Sequence, residues 1–249
     1  MALEPPSQGN MIAWYRADSI TTSGSNITGW NDKATLTTIR NLTNQGGQSS
    51  SSVSVVPNGL GTRSVVRFAP TSYPAVFINN SLTGSQPFSV FAVVKPTSGH
   101  TQYMTIFYTW GSSGLAYNLI PDPGNDAGLE MWADPESVTV TSALPDDQWH
   151  NLIAIYNGGS SSLRDGGSVI GSGSVGSSGT LNEMYVGRWV WTGDAEGAFV
   201  GDIADLIFYN KVLDAGELSE LQSYYNEYYL GIGPEPTGSV GFNQAITFF

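Results

Sequence analysis

The chain has 249 residues, carries a net charge of −12 and contains no cysteine. Its nine Lys and Arg residues, of which three are Lys, are too few for the basic stripe that a nucleic-acid backbone requires. The absence of Cys excludes disulfides, thiol catalysis and cysteine-ligated zinc. No apolar run approaches the ~18 to 20 residues that span a bilayer. We therefore expect no nucleic-acid partner and no membrane insertion.

The composition predicts a neutral, polar surface. Charged residues make up 12% of the chain, about half of the usual share, while Gly, Ser, Thr and Asn are abundant. Such a surface is typical of an extracellular setting. Residues 1–10 have neither a basic region nor a hydrophobic stretch, so they do not resemble a secretory signal. This combination fits an extracellular protein whose signal was removed, or a virion component released by lysis.

In chain order, the predicted elements form one antiparallel β-sandwich. Residues 1–10 contain adjacent prolines and are expected to form an extended arm, followed by a strand at residues 11–16. Residues 19–54 are rich in Ser, Thr, Asn and Gly, so we expect long loops with one strand near residues 35–42. Further strands are expected at residues 64–68, 75–78, 88–95, 104–110, 116–120, 129–132, 138–141, 149–156, 168–170, 183–186 and 199–209. Turn signals such as Pro-Asn-Gly and Asp-Gly-Gly recur between them.

The C-terminal part changes from strand to helix periodicity near Asp214. Residues 199–209 form an apolar strand, whereas apolar residues recur at helical spacing between residues 218 and 228. Asp214, with Glu217 three residues later, has the form of a capping box. The pattern predicts one short helix directly after the last strand.

Residues 233–249 are predicted to be a separate tail. The segment begins as a Pro- and Gly-containing linker and ends in Ala-Ile-Thr-Phe-Phe. An apolar end of this kind is expected either to dock on its own sandwich or to add a strand to a neighbouring chain. We therefore expect an oligomer whose subunits meet through the N-terminal arm and the C-terminal tail.

Four segments resemble those of a known family. They are residues 201–210 (GDIADLIFYN), 58–68 (NGLGTRSVVRF), 88–96 (FSVFAVVKP) and 148–156 (QWHNLIAIY). Together they resemble laminin-G-like domains of the concanavalin A-like lectin/glucanase superfamily, over residues 11–232. The resemblance implies an all-β fold, a concanavalin A-like antiparallel sandwich or jelly roll with one short C-terminal helix. It leaves function open, because this architecture hosts lectins, adhesion modules, glycosidases and lyases.

A glycosidase needs two carboxylates across the glycosidic bond. Strand alternation would place Glu130, Asp134 and Glu136 on one face, which resembles the acidic strand of the glucanases in this superfamily. The first two acids are spaced more widely than in those enzymes, and Pro135 is expected to end the strand before Glu136. A lyase would need a base. Of the two histidines, His100 is expected in a turn and His150 is expected to be packed in a strand, so neither is expected to act as that base. We predict no catalytic residues.

Calcium is the cofactor that the resemblance suggests, because rim loops of this family supply hard oxygen ligands. One candidate set is Asp122, Asp126 and Asp134; the other is Asp194, Glu196 and Asp202. Neither set has EF-hand spacing. Solvated acidic side chains are the alternative for both.

Sugar binding requires an aromatic platform with polar groups beside it. Residues 188–197, RWVWTGDAEG, fit this description, since Trp189 and Trp191 would lie at the rim with Asp194 and Glu196 nearby. The alternative is that the tryptophans fold inward. A second, weaker platform is Trp110 with Tyr117, and the tryptophans expected in the core are Trp14, Trp30 and Trp149.

The sequence therefore predicts recognition or assembly rather than catalysis. The main hypothesis is a lectin-like module that binds a glycan or cell-surface polysaccharide, on a virion as tail fibre or head decoration, or outside a cell. One alternative is a polysaccharide-degrading enzyme, either a glycosidase or a lyase. The other is a capsid or tail building block that binds no glycan.

Overall fold

A computed structural model describes residues 3–24, 26–35, 38–44, 53–69, 77–79, 86–98, 104–111, 116–120, 129–133, 136–140, 144–175, 181–188 and 198–232. These residues form two antiparallel sheets and one short C-terminal helix, as the sequence predicts. The strands in chain order are β1 (Met11–Arg16), β2 (Ile20–Ser23), β3 (Asn26–Trp30), β4 (Leu42–Asn44), β5 (Val53–Leu60), β6 (Arg63–Phe68), β7 (Phe77–Asn79), β8 (Phe88–Pro96), β9 (Phe107–Gly111), β10 (Ala116–Ile120), β11 (Leu129–Ala133), β12 (Glu136–Val140), β13 (His150–Tyr156), β14 (Ser161–Asp165), β15 (Ser168–Gly173), β16 (Leu181–Val186) and β17 (Gly201–Tyr209).

The two sheets have eight and nine strands. The eight-stranded sheet has the order β15-β14-β13-β8-β17-β6-β5, and β1 also pairs with β17. The nine-stranded sheet has the order β12-β11-β10-β9-β16-β7-β4-β3-β2. Strands that are distant in sequence lie side by side, so each end of the sandwich collects loops from widely separated parts of the chain.

Strand β17 is buried along its whole length because both faces of the eight-stranded sheet are covered. Alternate residues such as Leu206 and Phe208 face the core between the sheets. Ile207 and Tyr209 belong to a second apolar cluster on the outer face. One edge of β17 pairs with β8, whereas the other edge pairs first with β6 and then with β1.

A helix, α1 (Ala215–Tyr225), covers the outer face of the eight-stranded sheet and continues as a π-helical turn, Asn226–Leu230. The predicted capping box is confirmed: Asp214 accepts a hydrogen bond from the Glu217 N–H, and the Glu217 carboxylate accepts one from the Asp214 N–H. Leu221 and Tyr224 pack against the sheet in the second apolar cluster. The helix therefore closes the face that the other sheet does not cover.

The prediction for residues 19–54 was wrong in part. The structure has a hairpin of β2 and β3 there, followed by the short strand β4. Of the described residues between 35 and 42, only Leu42, the first residue of β4, lies in a strand. This region packs into the core through three buried apolar side chains, Ile27, Trp30 and Leu42. They are separated by polar residues, which hides the strands in the sequence.

The N-terminal segment that was expected to be an extended arm lies against the sandwich where it is described. Leu3 packs on the second apolar cluster, and residues Gln8–Asn10 form a 3₁₀ helix. The Ser7 hydroxyl donates a hydrogen bond to the Glu217 carboxylate. Residues 233–249 lie outside the described part of the chain, so the predicted division into arm, sandwich and tail stays a prediction. No helix in the described ranges is both long enough and apolar enough to cross a membrane.

Candidate functional site

The residues that flank positions 189–197 are held against each other. Arg188 and Ala198, on either side of these positions, form an antiparallel bridge, which we call the base of the segment. Directly below, the Phe199 N–H donates a 2.8 Å hydrogen bond to the Gly187 carbonyl. The two chain ends of the predicted sugar-binding segment are therefore held together at one end of the sandwich.

Gly187 is the residue that allows this base to form. Its φ is +90°, and a Cβ at this position would lie 2.3 Å from a ring carbon of Phe68. The Phe68 ring in turn makes edge-to-face contacts with Phe77 and Phe199 in the core. The base of the segment thus rests directly on packed aromatic rings.

Only one of the predicted site residues, Asp202, belongs to the described part of the chain. The other predicted residues lie outside it: Trp189, Trp191, Asp194, Glu196, Asp122, Asp126 and Asp134. The described residues that flank them show from which strand ends their segments start.

The sheet topology places the starting points of two predicted segments on either side of β9. Val186, which ends β16, pairs with Phe107 of β9, and Phe107 pairs with Leu119, one residue before the end of β10. Residues 121–128 follow β10, and residues 189–197 follow β16 closely. Because neighbouring strands are about 4.8 Å apart, the two strand ends are separated by about 10 Å. The segment with Asp122 and Asp126 and the segment with both tryptophans therefore depart from the same end of the nine-stranded sheet.

Asp134 departs from the opposite end. It follows Ala133, the last residue of β11, whereas residues 121–128 precede Leu129, the first residue of that strand. The five residues of β11 span about 13 Å. The described neighbour of Asp134 therefore lies at the other end of β11 from the described neighbour of residues 121–128.

The acidic strand considered for a glycosidase is two strands. β11 ends at Ala133 and β12 begins at Glu136, which pairs with Ala133, while Glu130 pairs with Thr139. The expectation that Glu130 and Glu136 alternate along one strand face was wrong, because the chain reverses direction between them. Pro135 itself lies outside the described residues.

Asp202 is a buried carboxylate that pairs with two partly exposed cations. Its side chain is 2% exposed, and its two oxygens accept hydrogen bonds of 2.7 and 2.9 Å from Nε and Nη2 of Arg67. Lys95 Nζ lies 3.7 Å from the same carboxylate. The hydrogen bond to Asp202 raises the pKa of Arg67. The carboxylate thus links β6, β8 and β17, and a calcium ion here would have to displace Arg67.

His150 is also held structurally. Its Nδ1 lies 2.8 Å from Asp165 Oδ2, and its Nε2 lies 2.9 Å from the Pro145 carbonyl. Burial lowers the pKa of the imidazole, but these two acceptors outweigh burial and raise it. This confirms the expectation of a packed, hydrogen-bonded histidine. Over the described residues, no group of three His, Asp or Glu side chains could hold a metal ion.

The structure contains a polar cleft that the sequence analysis missed. It has a volume of about 160 Å³ and lies on the outer face of the eight-stranded sheet, beside the π-helical turn. Its walls include Arg16, Asp18, Thr62, Arg63, Ser64 and Tyr228. These residues come from three distant parts of the chain, and no local sequence pattern joins them.

A family model described as the concanavalin A-like lectin/glucanases superfamily, a laminin-G model, matches residues 70–219. No curated protein matches the chain significantly. Among solved structures, domain 4 of AbnA, an extracellular GH43 arabinanase from Geobacillus stearothermophilus in complex with arabinotriose, is similar with a TM-score of 0.63 and 18% identity. The match covers 86% of this chain and 98% of that one.

Two further structures share the fold at low identity. Trypanosoma rangeli sialidase in complex with sialic acid has a TM-score of 0.61 and 14% identity; the match covers 92% of this chain but 34% of the sialidase, so the chain spans about a third of that protein. The heptameric SAP-like pentraxin of Limulus polyphemus has a TM-score of 0.50 and 17% identity, over 61% of this chain and 78% of that one. At these low identities, the three structures show similarity in fold alone.

Proposed function

Because the chain belongs to the concanavalin A-like lectin/glucanases superfamily, we propose that it is a non-catalytic, lectin-like module that binds a glycan at one end of its sandwich. The observation that carries this proposal is the topology around β9, β10 and β16. Two segments that are far apart in sequence, residues 121–128 and 189–197, follow strands β10 and β16, which flank β9 and end at the same end of the sheet. The first is acidic and the second is aromatic and acidic, which is the combination that a sugar site requires.

Trp189 and Trp191 form the proposed platform. An indole ring packs against the apolar face of a pyranose, while Asp194 and Glu196 accept hydrogen bonds from its hydroxyls. The fixed base at Arg188 and Ala198 supports this assignment, because a held segment loses less conformational entropy on binding than a free one. That domain 4 of the arabinanase was solved with arabinotriose also supports sugar binding by a domain of this fold.

We propose that calcium binds at the same end of the sandwich. Asp122, Asp126 and Asp194 are the candidate ligands, since their flanking strands converge there. Asp134 departs from the other end of β11, and Asp202 is already paired with Arg67. The test is to measure the melting temperature of the chain at increasing calcium concentrations. Calcium should raise the melting temperature of the wild type and leave that of Asp122→Asn/Asp126→Asn unchanged. No response to calcium would remove the metal from the proposal.

We place the module on the outside of a virion, as tail fibre or head decoration, or outside a cell. The low content of charged residues, 12%, supports an outward-facing setting. Neighbouring subunits are proposed to attach through the N-terminal arm and the C-terminal tail. Mass spectrometry of purified particles from the source would test the virion setting directly.

A glycan array tests the main proposal. The wild type should bind a limited set of glycans, and Trp189→Ala/Trp191→Ala should lose them, because each stacked aromatic contributes about 0.5–1.5 kcal/mol or more. The matched variant Trp189→Phe/Trp191→Phe keeps aromatic rings and should retain part of the binding. Running the array with calcium and with a chelator separates the two parts of the proposed site.

The alternatives predict different results in the same experiment. Release of reducing or unsaturated ends from a bound polysaccharide would indicate a glycosidase or a lyase instead. Absence of binding to every glycan would favour a capsid or tail building block. Retention of wild-type binding by the double Ala variant would move the sugar site away from residues 189–197.

A further inference from the structure

The polar cleft lies where two strands share one edge of β17. Strand β6 pairs with this edge only as far as Ile203, and β1 pairs with it from Asp205 onward. Between the two pairings lies Ala204, whose carbonyl accepts a 3.3 Å hydrogen bond from the Tyr229 hydroxyl, and the π-helical turn Asn226–Leu230 that carries Tyr229 forms one wall of the cleft. The walls of the cleft are thus strand ends, tight turns and the π-helical turn rather than long loops.

Arg16 forms a rigid wall of the cleft. Its side chain is 10% exposed and binds Asp18 through Nε and Nη2, with the shortest distance 2.8 Å. Its guanidinium carbon lies 4.9 Å from the centre of the Trp14 ring and 4.4 Å from that of Tyr228. Such packing fixes the positive charge in place before any ligand arrives.

Arg63 is the cation that can reach a ligand. It is exposed, its guanidinium carbon lies 3.9 Å from the Tyr228 ring centre, and its Nε donates a 3.0 Å hydrogen bond to the Tyr228 carbonyl. Within the described chain, its two terminal nitrogens have no hydrogen-bond partner. These nitrogens form the planar fork that binds a carboxylate through two parallel hydrogen bonds.

Hydroxyl groups stand on both sides of Arg63 in the chain. Thr62 and Ser64 line the same cleft, and the side chains of both lack a hydrogen-bond partner among the residues that the structure describes. A hydroxyl both donates and accepts, so it can satisfy a sugar hydroxyl in either direction. Asp18, which is 44% exposed, adds an acceptor at the opposite wall.

The cleft also has a charge unlike that of the whole chain. Arg16, Arg63 and Lys33, which lies 3.6 Å from Asp18, bring three positive charges to this place. Two carboxylates oppose them, Asp18 at the wall and the buried Asp205 beneath. One net positive charge remains in a chain of net charge −12, which favours an anionic ligand in the cleft.

We propose that this cleft binds the carboxylate of an acidic sugar such as a hexuronate, with Arg63 holding the carboxylate and the hydroxyls of Thr62 and Ser64 holding the ring hydroxyls. A volume of about 160 Å³ suits a small ligand such as a single sugar unit rather than a chain. The carboxylate of Asp18 disfavours a dianion such as phosphate more than a monoanion. This site lies on the other sheet from residues 189–197 and does not depend on the proposed rim site.

Calorimetric titration of the full chain with D-glucuronate tests the proposal. The controls are D-glucose, which lacks the carboxylate, acetate, which lacks the ring, and inorganic phosphate. Binding of glucuronate should weaken as salt is added, since an exposed ion pair is screened. Arg63→Gln should weaken it roughly tenfold to a hundredfold, because it removes a charge-assisted, two-pronged contact.

Matched variants keep the result interpretable. Arg164→Gln removes the same charge from β14, outside the cleft, and should leave glucuronate binding unchanged. Arg63→Lys keeps the charge without the fork and should recover only part of the affinity. Because Arg63 is exposed, these variants should fold, which a thermal melt checks.

The same variants distinguish this cleft from the proposed sugar site at residues 189–197, which we call the rim site. Trp189→Ala/Trp191→Ala should leave glucuronate binding intact, and Arg63→Gln should leave the glycans bound by the rim intact. Equal binding of glucuronate and glucose, equal binding of acetate or phosphate, or an unchanged affinity in Arg63→Gln would each overturn the proposal.

Discussion

The hydroxyl of Tyr224 donates a 2.6 Å hydrogen bond to Oδ2 of Asp205, across the contact between α1 and β17. Asp205 is fully buried, and Trp14 Nε1 and the Tyr229 hydroxyl also donate to it, at 2.8 and 3.0 Å. A carboxylate inside an apolar layer is stable only when its oxygens are hydrogen-bonded. This group therefore ties the first strand, the last strand and the helix together.

Tyr224→Phe should lower the free energy of unfolding by about 1–3 kcal/mol, because it removes one donor from a buried carboxylate. Urea unfolding monitored by circular dichroism gives the value. Tyr228→Phe is the matched control, since its hydroxyl makes only a 3.5 Å contact with Asp18 near the surface. It should change stability by less than about 0.5 kcal/mol. Equal effects of the two variants would contradict a special role for Asp205.

Asp205 should also make stability depend on pH. Burial raises the pKa of this carboxyl to about 6 in the folded chain, although the three donors oppose the shift. The folded state thus holds the proton more tightly than the unfolded chain does, and the stability from this group is fully present below pH ~4 and lost as the pH rises through about 6.

The comparison with Asp205→Asn isolates this contribution. The difference in unfolding free energy between wild type and variant should change between about pH 4 and pH 6 and stay constant above about pH 7. A difference that is constant over the whole range would show that Asp205 does not titrate there.

The sequence was sufficient to predict those elements whose signal lies in neighbouring residues. The capping box at Asp214 and Glu217 depends on two residues three positions apart, and the apolar run of β17 is continuous. By contrast, β5 (Val53–Leu60) contains Pro57-Asn58-Gly59, which reads as a turn. Its pairing with β6 is interrupted between Val56 and Leu60, and Asn58 has a φ of 53°. Tertiary pairing outweighed the local turn preference at this edge strand.

The sites could be predicted only in part. Residues 188–197 attract attention because the aromatic and acidic residues are adjacent in sequence. The cleft instead joins Arg16, Arg63 and Tyr228, which meet only because β1 and β6 share an edge of β17. Nothing in the spacing of these residues indicates that contact.

Gly187→Ala should destabilise the domain by about 1–3 kcal/mol and also weaken glycan binding at the rim. The new Cβ would lie 2.3 Å from the Phe68 ring, in a backbone conformation that side chains disfavour. Thermal unfolding and the glycan array measure the two effects. Gly159→Ala is the control, because a Cβ there meets nothing within 4 Å. If Gly187→Ala binds like the wild type, the base of the segment does not position its tryptophans.

His150 should stabilise the fold more at low pH than at high pH. Its pKa is raised in the folded chain because Asp165 and the Pro145 carbonyl outweigh burial. The stabilisation is fully present below the unfolded value of about 6.5 and is lost as the pH rises through the raised folded value. Asp165→Asn removes the charge partner and keeps the shape, so the loss should move to lower pH. NMR titration of the imidazole reports the shift, and an unchanged midpoint in the variant would contradict this role of Asp165.

The apolar end of the chain leads to a prediction about assembly. If residues 234–249 dock on a neighbouring copy, the full chain should sediment as an oligomer and the chain without these residues as a monomer. A smaller change, Phe248→Ser/Phe249→Ser, should weaken the association without shortening the chain, because exposed apolar surface drives it. Analytical ultracentrifugation at several concentrations measures both variants. Unchanged sedimentation after deletion would mean that the tail does not join subunits, and a loss of thermal stability without a change in mass would indicate docking on its own sandwich.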